Sequence, residues 1–319
     1  MNADAAEIFS AKRIDFHAHA ILPSYVDALK SLKIDAAAEE GFPLPKWSAE
    51  SHLQFMEEAG IDFTVLSMAT PHISDKSAAR AINEEFAELC RRFPKKFGFV
   101  ATLPLPHVEG SIEEFHYATK KLGALGVKVA SNSDGVYLGN ERLDPIFSAL
   151  NEKNSLVIIH PSPARQLPRA GVVTGKVMAL FEYPADTTRA VLNMLANGTL
   201  EKFPRLKIIV PHCGSFLPYM KQRAGSMFQM PASMNLMPPT DFAASFGKLF
   251  FDTAGDPMPE QFDMLLKVAR LDKIIFGTDY PYVPAQVVLG RKKLFDAEIS
   301  RRGLAEKIYV ENARALLGG

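Results

Sequence analysis

The chain predicts an α/β fold closed as a (β/α)8 TIM barrel. Eight short apolar runs recur along its 319 residues, each with room for a helix before the next. Amphipathic segments with helix start and stop signals fill those intervals. Four of the runs also end in histidine or aspartate, and the C-terminal ends of its strands are where such a barrel carries its chemistry.

The first run is Arg-Ile-Asp-Phe-His-Ala-His (13–19). After it, residues 20–47 hold Pro23, Pro43, Pro45 and Trp47 and are too long for a plain loop, which predicts a short insertion over the barrel mouth. A helix over 48–60 opens on Ser48 and closes on Gly60. The run 63–69 precedes a helix over 74–93, where Ala78, Ile82, Phe86 and Leu89 fall at helical intervals before Pro94 stops it. Runs 97–104, 126–131 and 156–160 alternate with helical segments 111–122, 141–153 and 185–201. Run 206–212 precedes a second break, 218–247, rich in Met and Pro (Met227, Met230, Pro231, Met234, Met237, Pro238 and Pro239). Such a surface fills a core, lines an adaptable pocket or meets another subunit. Runs 249–254 and 273–278, with helices 259–270, 284–301 and 304–317, complete the pattern. Most runs are apolar on both faces, as parallel strands covered by helices require. With no repeat beyond the βα unit and no low-complexity linker, residues 1–319 are expected to be a single domain.

Composition bounds the function. The 47% apolar and 23% charged content is that of a globular protein, and 36 basic residues balance 36 acidic ones. No long-range field therefore favours nucleic acid or a membrane. Cys90 and Cys213 lie far apart, too few for a disulfide framework, and no apolar stretch has the length of a membrane span. Without a signal-like apolar core in residues 1–12, a soluble cytoplasmic protein is expected.

Chemistry gathers at the strand ends. Residues i and i+2 of a strand share a face, so His17 and His19 can point together into the mouth. If the ends converge, His17, His19, His160 and Asp279 form an N,N,N,O metal site, with His212 beside it for acid–base or electrophilic work. The bland alternatives are a hydrogen-bonded His pair, a core histidine at 160 satisfied by a carbonyl, and an Asp279 that caps a turn. His52, His72, His107 and His116 sit on helices or in loops and receive no role. Cys213, beside His212, should point away from the site.

These residues carry a resemblance. Arg-Ile-Asp-Phe-His-Ala-His (13–19), Gly-Val-Lys-Val-Ala-Ser-Asn (126–132), Leu-Asp-Pro-Ile-Phe (143–147) and Ile-Ile-His-Pro (158–161) belong to it. So do Tyr-Pro-Ala-Asp-Thr-Thr-Arg (183–189), Phe-Pro-Arg-Leu-Lys (203–207), Ile-Val-Pro-His-Cys-Gly (209–214) and Phe-Gly-Thr-Asp-Tyr-Pro-Tyr (276–282). Over nearly its whole length the chain resembles the amidohydrolase superfamily. It looks most like the branch of aminocarboxymuconate-semialdehyde, γ-resorcylate and 6-methylsalicylate decarboxylases. The resemblance implies a barrel of the metal-dependent hydrolase type and one divalent metal, zinc or in some members manganese. It further implies His17, His19, His160 and Asp279 as ligands, His212 as catalytic histidine, and a homodimer or homotetramer. A lysine on the fourth strand, here Lys128, is carboxylated and bridges two metals in the superfamily's binuclear hydrolases. Otherwise Lys128 is a buried lysine with a carboxylate partner or an amine that reaches the mouth.

The leading expectation is a metal-dependent non-oxidative decarboxylase of a hydroxybenzoate-like or unsaturated carboxylic acid, with Asp279 or His212 as proton donor. The alternative is metal-dependent hydrolysis of a lactone, ester or amide, which uses the same ligands. A structural zinc site in a binding protein would normally be closed and cysteine-rich, which this set is not. Trp47, Phe181, Tyr282, Arg165 and Arg169 are candidates, by their position in post-strand loops, for ordering a flat anionic substrate.

Overall fold

The computed structural model describes residues 10–164, 177–234 and 239–318. Arg165, Arg169, Met237 and Pro238 lie outside the described residues. β1 (Ile14–Ala20) pairs in parallel with β2 (Phe63–Met68), and β2 with β3 (Phe97–Phe99). The third strand resumes beyond Val100 at Ala101–Thr102 and leads into a second parallel sheet. That sheet runs through β4 (Gly126–Ala130), β5 (Leu156–His160), β6 (Lys207–Val210), β7 (Phe250–Asp252) and β8 (Ile274–Ile275). Backbone bonds bring the last strand back to the first. Phe16 N–H donates to Phe276 C=O (3.0 Å), and His19 N–H to Tyr280 C=O (2.8 Å), where Ala18 also bridges Tyr280. The fold is the predicted (β/α)8 barrel.

Helices form over both of the first two predicted segments. Ser48 and Ser51 bond each other's backbone N–H in a capping box, and Gly60 ends that helix at φ 63°. Asp75 caps Lys76–Arg92, whose Ala79, Ile82, Phe86 and Leu89 face the core. The insertion after β1 contains two helices, Pro23–Ser31 and Ala36–Glu40. Where it is described, the Met-rich stretch holds a helix over Leu217–Ser233 and another over Phe242–Phe246, so it supplies a barrel helix rather than a break. Among the described residues, no helix is long and apolar enough to cross a membrane.

Inside the barrel, Ile14, Phe63, Val65, Leu156, Ile158, Ile209, Phe250 and Ile275 form a buried plug contributed by five strands and the start of β1. The larger core lies between strands and helices. β1 carries a bulge. Its pairing with β2 steps from Asp15↔Thr64 to Ala18↔Leu66, one residue more on β1 than on its partner. A bulge re-aims the side chains beyond it, and here it lets Ile14 and His19, an odd number of residues apart, serve the same interior.

Candidate active site

Five of the predicted residues meet above the apolar plug. His17 and His19 come from β1, His160 ends β5, His212 opens the 3-10 turn His212–Gly214 after β6, and Asp279 follows β8. Ring centroids lie 5.1 Å apart for His17 and His19, 4.8 Å for His19 and His160, and 5.0 Å for His17 and His212. One ligand atom each from His17, His19, His160 and Asp279 falls within 4.8 Å of all the others.

Each of the three innermost imidazoles is tied back through Nδ1. His17 Nδ1 lies 2.8 Å from Asp252 Oδ2, His19 Nδ1 lies 3.0 Å from Ser67 Oγ and 3.2 Å from Met68 O, and His160 Nδ1 lies 3.0 Å from Pro161 O. A proton held on Nδ1 by a carboxylate or carbonyl leaves the Nε2 lone pair free. The Nε2 atoms of His17 and His19 are buried and have no hydrogen-bond partner, lying 3.4 and 3.3 Å from Asp279 Oδ1 without the alignment of a bond. Buried polar atoms are rarely left so, and a divalent cation is the partner that this donor set fits.

Electrostatics favour neutral imidazoles at His19 and His160 and an ionised Asp279, while His17 keeps a proton unless a cation displaces it. Burial, reinforced by the nearby lysine and histidine charges, holds His19 down at about 4 and His160 well below the ordinary imidazole value. Burial would depress His17 as well, but the Asp252 carboxylate at its Nδ1 raises it to about 10. Burial would raise Asp279, yet its contacts with His17, His19 and His212 keep it well below the usual carboxylate range.

Backbone geometry fixes these positions. Asp279 adopts φ 65°, and His212, Cys213 and Ser215 also have positive φ, uncommon for non-glycine residues and concentrated where side chains must be aimed. Asp279 is pinned by its N–H bond to His17 C=O (2.7 Å). Gly277 acts by close approach rather than by its own turn. A Cβ there would lie 2.7 Å from the Cβ of His17.

A cavity of about 530 Å³ opens above the cluster. His160, His212 and Asp279 lie at its base, while Phe42, Leu180, Phe216 and Tyr282 are among its walls. Tyr282 is held by Thr70, accepting from its N–H (3.1 Å) and donating to its C=O (2.9 Å). Phe42 comes from the insertion, placing that segment over the mouth as predicted.

Other candidates fall elsewhere. Trp47 does not line the cavity: its indole N–H donates to His52 Nδ1 (2.9 Å), because the segment before the helix folds onto the helix. Phe181 is 45% exposed and packs on Phe216. Lys128 is buried inside the barrel, its amine donating to Met68 O (2.5 Å) and Ala69 O (3.2 Å), and burial lowers it to about 7. His72 lines a different hollow, with Nε2 3.4 Å from Leu105 O. Cys213 is buried, and its thiol is pushed up by that burial.

Two aspartates escaped the sequence reading. Asp252 orients His17 and also accepts the N–H groups of His212 (2.9 Å) and Ala254 (3.0 Å). Asp15 accepts from Thr278 Oγ1–H (2.6 Å) and from His17 N–H (2.9 Å). The available signal was a carboxylate inside the seventh run, Asp252 in 249–254, as polar an intrusion as Asp279 just beyond the eighth.

Comparison with known proteins finds similar chains. A family model described as Amidohydrolase matches residues 14–319. Decarboxylase yanB of Aspergillus niger is 31% identical over 294 residues, covering 86% of this chain and 79% of that protein. The 6-methylsalicylic acid decarboxylase of Penicillium expansum is 29% identical, covering 87% of each chain. A solved 5-carboxyvanillate decarboxylase of Novosphingobium aromaticivorans, complexed with manganese and 4-hydroxy-3-methoxy-5-nitrobenzoic acid, shares the fold. Its TM-score is 0.84 at 22% identity, over 96% of this chain and 95% of that one.

Proposed function

We propose, from the premise that this chain belongs to the amidohydrolase family, that it is a metal-dependent, non-oxidative decarboxylase of a hydroxybenzoate-like or related unsaturated carboxylic acid. The observation that carries the reading is the set of tied-back imidazoles, two of them with orphaned Nε2 atoms, facing Asp279 at the base of an apolar-walled cavity. The decarboxylases among its relatives support the choice of reaction.

His17, His19, His160 and Asp279 would hold one divalent cation, zinc in our reading with manganese as the alternative. When bound, it would supply a fixed positive charge that polarises an anionic substrate and stabilises negative charge developing on it. Phe42 and Tyr282 confine a flat ring and exclude water. His212 delivers a proton from Nε2 to the ring carbon that bears the carboxylate. The electrons of the C–C bond then return to the ring as CO2 leaves, so ArCO2− and H+ become ArH and CO2. His212 is one-fifth exposed and regains its proton from solvent. Asp279, which faces His212 Nε2 at 3.5 Å, is assigned the ligand role in this reading, and His212 the proton transfer.

Metal analysis joined to a CO2-release screen of salicylate-type and muconate-type acids tests the reading. One equivalent of metal and CO2 from at least one acid is the expected result. Inert acids alongside cleaved lactones, esters or amides would transfer the chain to the hydrolases. We also assign residues 1–319 to one domain, the enzyme to the cytoplasm, and its assembly to a homodimer or homotetramer. The exposed apolar side chains of Leu180, Tyr219, Met227 and Met230 support the assembly, and light scattering at micromolar concentration tests it.

A further inference from the structure

The polar side of the cavity has a use that decarboxylation alone does not require. Arg291 is the only lysine or arginine among the described residues that line it, and Asp256 and Gln261 line it too. Arg291 donates from Nη1 to Gly255 O (3.2 Å), and its Nη2 lies 3.3 Å from Asp256 Oδ2. Gly255, with φ 85°, sets this group beside the catalytic end: a Cβ there would lie 3.7 Å from His212 Cδ2. Much of the remaining wall is apolar or aromatic, including Phe42, Leu180, Phe216, Tyr282 and Val283.

An arginine alone would recruit an anion. Paired with Asp256 its charge is balanced, so a second substrate carboxylate here would meet repulsion as well as attraction. A phenolic hydroxyl suits both partners, accepting from the guanidinium while donating to the carboxylate. Resting on the decarboxylase reading, we propose that Arg291 and Asp256 are specificity-determining residues that select a substrate bearing a further ring hydroxyl on the His212 side. A substrate with an alkyl group or a second carboxylate at that position is disfavoured.

The test compares kcat/KM for dihydroxybenzoates with that for salicylate in the metal-loaded wild type, Arg291→Gln and Asp256→Asn. The wild type should prefer at least one dihydroxy acid by tenfold or more, since a site built to bond a hydroxyl discriminates against its absence. Arg291→Gln should reduce that preference at least tenfold. Taking the ratio removes any loss common to both substrates. Asp256→Asn should raise kcat/KM for a benzenedicarboxylate bearing an ortho hydroxyl at least tenfold, a gain that damaged folding cannot produce. A preference unchanged in Arg291→Gln, equal losses on both substrates, or no gain in Asp256→Asn would overturn the assignment. Calorimetric titration with resorcinol and with phenol separates the two readings. If wild type releases no CO2 but the resorcinol-to-phenol affinity ratio collapses in Arg291→Gln, the subsite stands and the decarboxylase reading falls. If that ratio is near one in wild type, the subsite falls.

Discussion

Asp252 carries more of the site than its silence in the sequence suggests. One carboxylate oxygen holds His17 Nδ1, while the other collects the N–H groups of His212 and Ala254, so one buried side chain sets a proposed ligand and the proposed proton donor together. Outer partners of metal-binding histidines commonly contribute 10–100-fold in affinity. Asp252→Asn is therefore expected to weaken metal binding by about that factor, read by competition with a chromogenic chelator. Unaltered affinity would remove Asp252 from this role. His212→Asn should separate differently: turnover falls by ~10²–10⁴, the usual range for a lost acid–base group, while metal stoichiometry stays at the wild-type value. His17, His19, His160, His212 and Asp279 were legible because each ends an apolar run, where a polar side chain demands a reason. Asp15 and Asp252 were not, since each lies inside its run and serves a backbone N–H or an imidazole that only the folded chain brings to it. Arg291 was hidden more deeply, as an arginine on a helix reads as solvated surface.

The elements around β1 show how a local irregularity serves the site. Strand alternation anticipated that His17 and His19 face together, but the extra residue between Asp15 and Ala18 could not be read from a period of two. Nor could the closure of the barrel, where regular pairing ends at Ile275 and isolated backbone bonds continue to Tyr280. The Asp15–Thr278 hydrogen bond spans that seam with both side chains buried. Thr278→Val would keep the shape and leave one Asp15 oxygen short of its donor. A buried polar group so deprived costs about 1–3 kcal/mol, and urea denaturation should show a loss of that size with an unchanged m-value. A loss confined to activity would mean that the seam is held elsewhere. The insertion is fastened by similar means: Glu40 is buried and accepts from Thr70 Oγ1–H (2.8 Å), and burial raises its carboxyl to about 7. Its proline content revealed an insertion, while its helices and its buried carboxylate arise from contacts with a loop thirty residues away.

At the scale of the whole molecule the βα alternation was legible because parallel strands buried on both faces must be apolar throughout, and the helices between them must be amphipathic. What remained hidden was the environment of side chains that the pattern left without a role, and His52 is the clearest case. It sits on the helix Ala49–Ala59 with its ring edge-on to Tyr280 and Phe97, Nδ1 accepting from Trp47, and Nε2 buried without a partner. Burial, aided by the charge of nearby His19, lowers its pKa from 6.5 to about 3. The unfolded chain therefore binds a proton here that the folded chain refuses between those two values. The stability this group contributes is fully present above pH 6.5 and is lost as the pH falls towards 3. At pH 4 the loss from this histidine alone is about 3 kcal/mol. His72, which burial also lowers, to about 4, adds in the same direction, whereas Asp15 and Glu40, raised by burial to about 7, act in the opposite one. Their effects are shared by wild type and variant and drop out of a difference. His52→Phe should thus be less stable than wild type near neutrality, where Trp47 loses its acceptor, and should close that gap by about 3 kcal/mol as the pH is lowered to 4. Urea midpoints measured across that range decide it: a gap that stays constant with pH means that His52 takes up no extra proton on unfolding.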